Sequence, residues 1–148
     1  ILANVVKFKH LKEGHCMIER IQCIVVSSLG SVGLCLKGQS WDMLTELVEW
    51  DETVHETAYR TFSKVLGFRP KWKSVNCLNT LRDDNPVGYE HIFFVRIPHD
   101  AIGLSNKSLQ WLTPSYRTVL ETKYPKLLGP GVSSTYRRAL QASRKHAG

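Results

Sequence analysis

The sequence predicts a mixed α/β (α+β) fold, in which a mixed β-sheet is flanked by helices. Two segments predict the strands: residues 21–28 are apolar and rich in β-branched side chains, and residues 89–98 carry the strongest strand signal in the chain. Residues 51–66 predict a capped amphipathic helix between them. The length of 148 residues suits one hydrophobic core.

A hairpin is predicted around the first strand. Residues 28–31, SLGS, predict its turn, and residues 32–37 predict the second strand. Residues 37–43, KGQSWDM, predict another turn. We expect residues 44–50 to continue as an extended or looped segment.

The predicted helix carries its own start and stop signals. Thr53 is a favourable N-cap, and Glu56 three residues later completes a capping box. Gly67 is placed to end the helix. Apolar residues at helical spacing predict one buried face: Val54, Ala58, Phe62, Val65 and Leu66.

The second half of the chain alternates in the same way. Residues 70–83 predict a strand, and residues 83–88, DDNPVG, predict a turn into the strongest strand. A polar loop is expected at residues 100–107. Thr113 before Pro114 predicts a helix with a threonine N-cap and proline in its first turn.

The C-terminal end is separated by GPG at residues 129–131 and predicts a helix near residues 133–145. That helix is short, polar and basic, so it predicts either a phosphate-contacting arm or a solubilising tail. We expect an N-terminal extension at residues 1–20, a core domain at residues 21–128, and a basic helix at residues 129–148 that packs on or extends from that domain. Because the first residue is isoleucine, we expect a processed chain or part of a longer one.

The charge balance points to an anionic partner. The net charge is +7 and the isoelectric point is near 9.4, which favours nucleic acid, acidic lipid or a phosphate ligand. The alternative is a solvated basic surface. No apolar run approaches the roughly 20 residues that span a bilayer, so we expect no membrane partner. The four cysteines form no CxxC pair, which argues against zinc, and we expect an intracellular, reducing compartment.

The segment LVEWDETVHETAYRTFSKVLGF, residues 47–68, contains a spaced set of charged, apolar and glycine positions. Those positions are Glu52, Arg60, Phe62, Gly67 and Phe68. The segment resembles the Nudix box, the signature of hydrolases that act on nucleoside diphosphates linked to another group. The resemblance covers roughly residues 20–125 and implies a Nudix-like sandwich. It makes Glu52, Arg60 and Gly67 structural remnants of the box.

Four positions depart from the family pattern. Glu46 stands where the box glycine belongs, and Thr61, Lys64 and Val65 stand where the family carries the glutamates that bind magnesium and help activate water. A divalent cation needs several oxygen ligands, and an ammonium group about 4 Å away repels a unit positive charge by about 4 kcal/mol at an effective dielectric near 20. We therefore expect no catalytic residues, no metal and no cofactor, as in a pseudoenzyme.

Two alternatives stay open. Glu49, Glu52 and Glu56 are the carboxylates that would serve a divergent Nudix hydrolase of a nucleoside diphosphate derivative, with Mg²⁺ as its cofactor. Capping and ion pairing are the simpler roles for the same acids. The other alternative is a protein–protein scaffold, in which the basic charge meets an acidic partner.

The main expectation is a non-catalytic module that binds RNA or a ribonucleoprotein assembly, together with protein partners. The resemblance allows it, since relatives without the box acids include ribosomal and RNA-associated proteins, notably in mitochondria. Trp72 between two lysines can stack a base, or it can be a strand residue that packs on the core. The candidate nucleic-acid-binding residues are Lys64, Arg69, Lys71, Trp72, Lys73, Arg137, Arg138, Arg144 and Lys145.

Overall fold

The computed structural model describes residues 8–10, 16–84 and 87–145. The described strands join in one mixed sheet with helices on both faces, which confirms the predicted fold class. The strands are β1 (Phe8–His10), β2 (Cys16–Ser27), β3 (Val32–Lys37), β4 (Ser40–Asp42), β5 (Leu44–Leu47), β6 (Val75–Asp84), β7 (Val87–Ile97) and β8 (Gln110–Leu112). The α-helices are α1 (Val54–Leu66), α2 (Pro114–Lys123) and α3 (Val132–Lys145). Short 3-10 helices lie at Trp72–Ser74, His99–Leu104 and Pro125–Leu127.

The sheet is built around the parallel pair β2 and β7, which runs from Ile18 opposite Gly88 to Ser27 opposite Ile97. The central order is β4-β3-β2-β7-β6, and the other pairings are antiparallel. The second half of β2 is apolar on both faces, with Cys23 and Val25 packed on one side of the sheet and Ile24 and Val26 on the other, as in a strand that is covered on both faces.

Alternation along the central strands divides the core into two halves. Phe93 and Val95 of β7 pack on the α1 side of the sheet. Ile92 and Phe94 pack on the other side, with residues of α2 and α3. Side chains of β7 therefore alternate between the side of the sheet that α1 covers and the side that α2 and α3 cover.

α1 begins and ends as the sequence predicts. Thr53 is the N-cap, and the reciprocal hydrogen bonds between Thr53 and Glu56 form the capping box. Gly67 ends the helix in the left-handed conformation, with φ 78°. The buried side of α1 includes Ala58 and Phe62, as the apolar spacing predicts.

α2 and α3 cover the second face of the sheet. Thr113 caps α2 through the backbone N–H of Tyr116, and Pro114 lies in the first turn, as predicted. α3 is not a free tail, since Val132, Tyr136 and Ala139 are fully buried along one side. No helix in the described part of the chain is long and apolar enough to cross a bilayer.

Three local predictions were wrong. β4 occupies part of the predicted turn at residues 37–43, because the chain reverses at Gly38, with φ 66°, and then pairs with β3. Residues 72–74 form a 3-10 helix rather than the start of a strand, so β6 begins only at Val75. The polar loop contains another 3-10 helix, at His99–Leu104. Asn85 and Pro86 of the predicted turn lie outside the described residues.

Candidate nucleic-acid interface

Glu52 and Arg60 join the segment before α1 to the helix. Arg60 donates through Nε to Glu52 Oε2 at 2.9 Å and through a terminal nitrogen to Oε1 at 3.0 Å. The hydroxyl of Thr57 donates to the same carboxylate at 3.1 Å. The hydrogen bond from Arg60 is the main cause that lowers the pKa of Glu52, and the reciprocal bond raises the pKa of Arg60. The negative charge of the Glu52 carboxylate is therefore balanced by Arg60 within the protein.

The three substituted box positions do not fit a magnesium ion. Thr61 is buried, and its hydroxyl donates to the carbonyl of Thr57 at 2.8 Å. Val65 is buried and offers no oxygen ligand from its side chain. Lys64 is exposed and brings a positive charge. In residues 18–84 and 87–145, no group of three or more His, Cys, Asp or Glu side chains is arranged to hold a metal.

The candidate acids surround Arg60 and the start of α1. Glu56 accepts the backbone N–H of Thr53 at 2.9 Å, which is its capping role. The charges of Glu46 and Glu49 help to raise the pKa of Arg60, although the hydrogen bond that Arg60 donates to Glu52 is the larger cause. Glu52 and Glu56 thus hold the frame of the helix, and this corner of the protein is acidic.

A basic surface lies at the end of β7. Three cavities of about 390, 270 and 380 Å³ meet at Arg96, the next-to-last residue of β7. The cations that line them are Arg69, Lys71, Lys73, Arg96 and Arg144, and we call this surface the Arg96 groove. Hydroxyl and amide groups of Ser28, Ser74 and Asn76 line it as well. No Asp or Glu of the described chain lines any of the three cavities.

The sheet places Arg96 where the parts of the groove meet. Arg96 pairs with Val26 in the parallel ladder, and it lies two residues beyond Phe94, so it faces the α3 side of the sheet. The turn after β2 and the last turn of α3 line one cavity beside it. The segment at residues 68–76 lines the other two. Arg144 also offsets the partial negative charge at the C-terminus of α3.

Trp72 lies beside the groove on its 3-10 helix, between the two groove lysines. Its ring packs against His55, with centroids 4.2 Å apart and planes tilted by 37°. Tyr59 packs 5.2 Å from the same ring. Trp72 nevertheless stays 48% exposed, so it is neither a strand residue nor a core residue.

The structure does not gather all nine predicted residues. Arg69, Lys71, Lys73 and Arg144 line the groove, and Trp72 adjoins it. The others lie apart: Lys64 on α1, Arg137, Arg138 and Lys145 on α3. Arg137 donates to Glu121 of α2 at 2.7 Å, so its charge is partnered.

Helical geometry separates the cations of α3. Arg137 and Arg144 are seven residues apart and share one flank, whereas Arg138 and Lys145 share another about 100° away.

Sequence reasoning missed Arg96. The sequence signal for it was a single cation within the otherwise apolar segment FFVRIP, residues 93–98.

Comparisons with known proteins identify the fold. No protein-family model matches the sequence, and no curated protein matches it. The Nudix domain of Shewanella oneidensis NrtR, in a cocrystal with ADP ribose, is similar with a TM-score of 0.62 and 13% identity, covering 90% of this chain and 93% of that one. An ADP compounds hydrolase gives a TM-score of 0.59 and 12% identity, covering 95% and 85%.

A MutT/nudix family protein from Enterococcus faecalis is also similar, with a TM-score of 0.53 and 13% identity. That match covers 70% of this chain, and the chain spans only 46% of that protein's length. Likeness at these identities concerns the fold, and it shows that the mixed sheet with its flanking helices is a Nudix fold.

Proposed function

We propose that this chain is a non-catalytic Nudix-fold module that binds RNA, alone or within a ribonucleoprotein assembly. One observation carries the proposal: five cations, Arg96 among them, line three cavities that meet at Arg96, and no carboxylate of the described residues lines those cavities. The rest of the surface does contain acids that pair with cations, such as Glu121 with Arg137 and Glu90 with Arg20.

Clustered like charges repel one another, and this cost is relieved when an anion enters. A phosphate backbone supplies several negative charges in a row, which suits a groove whose cations are spread over three cavities. Arginines and lysines that contact phosphates position the strand without reading its sequence. We therefore expect binding that depends steeply on salt and weakly on sequence.

The first experiment compares Lys71→Ala/Lys73→Ala with Lys123→Ala/Lys126→Ala, using a 20-nucleotide RNA at several salt concentrations. The control pair carries the same charge change on exposed lysines outside the groove, Lys123 at the end of α2 and Lys126 in the 3-10 helix that follows. The groove variant should lose about tenfold in affinity at low salt and lower the slope of log K against log salt by about 1 to 2. The control variant should stay close to the unmodified protein.

Equal losses of RNA affinity in the two variants would contradict a role for the groove. They would indicate that RNA is attracted by the overall positive charge of the protein. If the unmodified protein shows no salt-dependent RNA binding at all, the proposed function itself is wrong. A stable complex with an acidic protein, in the absence of RNA binding, would favour the scaffold alternative.

A divergent Nudix hydrolase is the second candidate, because Glu46, Glu49 and Glu52 lie near Arg60 and one structural neighbour is an ADP compounds hydrolase. Its test is magnesium-dependent release of phosphate or a nucleoside monophosphate from a panel of nucleoside diphosphate derivatives. Release that Glu52→Gln abolishes in a folded protein would support the hydrolase. No release under conditions where RNA is bound would support the binding module.

A further inference from the structure

Trp72 is held in place although nearly half of it is exposed. His55 lies against its ring, and the same histidine ring contacts the Trp72 carbonyl through Nε2 at 3.2 Å. His55 in turn packs edge-on against buried Phe93 of β7, at 5.7 Å. Tyr59, one turn later on α1, supports the indole as well. The first turns of α1 and the sheet thus fix the orientation of the ring.

Trp50 provides an internal comparison. It is 66% exposed, so exposure alone does not distinguish the two tryptophans. Trp50 stands between Glu49 and Asp51, in an acidic segment, whereas Trp72 stands between Lys71 and Lys73, which line the groove. Of these two tryptophans, Trp72 is the one that combines an oriented, half-exposed ring with neighbouring lysines that line basic cavities.

We propose that Trp72 is a stacking platform for one nucleobase of a single-stranded segment whose phosphates lie in the Arg96 groove. This inference rests on the proposed RNA-binding function and names the class of nucleic acid that the groove takes. Base–aromatic stacking contributes strongly to single-strand binding and tolerates any base, because every base has a π-face. In a duplex the faces of the bases are already stacked, so the indole gains nothing from a paired strand.

α1 has a positioning role in this arrangement. His55 and Tyr59 contact the indole and not the ligand, and they restrict the orientations that Trp72 adopts in the free protein. A platform that is already oriented loses little entropy when a base stacks on it. The helix that supplies magnesium ligands in Nudix hydrolases here supports a ring.

The test measures the affinity of Trp72→Ala, Trp72→Phe and the control Trp50→Ala for a 20-nucleotide uridine RNA and for an RNA duplex of the same length. Trp72→Ala should weaken single-strand binding by about tenfold, Trp72→Phe by less, and neither should change duplex binding. Trp50→Ala should change neither. Quenching of tryptophan fluorescence by the single strand should disappear in Trp72→Phe and persist in a Trp50→Phe variant.

Several outcomes would overturn the inference. They are equal losses for the duplex and the single strand, a loss in Trp50→Ala as large as that in Trp72→Ala, or unchanged quenching in Trp72→Phe. If salt-dependent binding persists under these outcomes, the platform is wrong while the proposed function stands. Absence of any RNA binding by the unmodified protein would remove both.

Discussion

Gly67 shows how one residue fixes the end of α1. Its φ of 78° favours glycine, and a Cβ there would overlap the carbonyl oxygen of Leu104. The backbone N–H of Asn106 also donates to the Val65 carbonyl at 2.9 Å, so the helix end and the following loop are packed together. Two separate causes therefore favour glycine at position 67: its positive φ and the closeness of the Leu104 carbonyl oxygen.

We predict that Gly67→Ala lowers the free energy of unfolding by about 2–4 kcal/mol, because strain and overlap add. Gly38 is the matched control, since its φ is 66° but no atom lies within 4 Å of an added Cβ. Gly38→Ala should cost only about 1 kcal/mol. Urea denaturation measures both, and equal costs would contradict the overlap with Leu104.

At the scale of elements, α1 was predictable because its signals are local. The N-cap, the capping box and the terminating glycine all lie within 15 residues. α3 was harder, because its buried side mixes Val132, Tyr136 and Ala139 with the polar Thr135 and Ser143. Such a stripe resembles a solvated face in sequence, and only the sheet beneath it shows that it is buried.

The pair of Glu52 and Arg60 anchors α1 to the preceding segment, and it makes stability depend on pH. The folded-state pKa of Glu52 is lowered, so the contribution of the pair is complete above the ordinary glutamate pKa of about 4.3 and is lost as the pH falls through the folded value. Glu52→Gln should cost about 1 kcal/mol at pH 7, since Arg60 is 40% exposed and partly screened.

The check is urea denaturation at pH 7 and at pH 3. The stability of Glu52→Gln should differ from that of the unmodified protein at pH 7, and the difference should be smaller at pH 3, because the contribution of the pair declines as Glu52 becomes protonated. Arg60→Gln should remove the same acid-dependent component, because it removes the cause of the lowered pKa. A constant difference across this pH range would show that the pair does not titrate as described.

At the scale of the whole molecule, the groove could be predicted only in part. The local run of Arg69, Lys71 and Lys73 is visible in the sequence, but its union with Arg96 and Arg144 depends on β7 and α3 ending beside it. The same long-range packing separates Lys64 from the groove and partners Arg137 with Glu121. The sequence shows which residues are cations, whereas the packing of strands and helices determines which of those cations lie on the same surface.

The molecule thus has an acidic corner at the start of α1 and a basic groove at the sheet end where Arg96 lies. The acidic corner stabilises the helix through capping and the Glu52–Arg60 pair. Among the residues that the structure describes, the basic groove is lined by cations and by no carboxylate. The Nudix fold positions these elements, and the groove is the surface that we propose binds RNA.

Ultraviolet crosslinking of the protein to labelled RNA, with the crosslinked peptides identified by mass spectrometry, tests the central claim most directly. The account predicts crosslinks in residues 68–76, around Arg96 and in the last turn of α3. Crosslinks confined to α2 and the acidic segment before α1, with none in the groove, would contradict it.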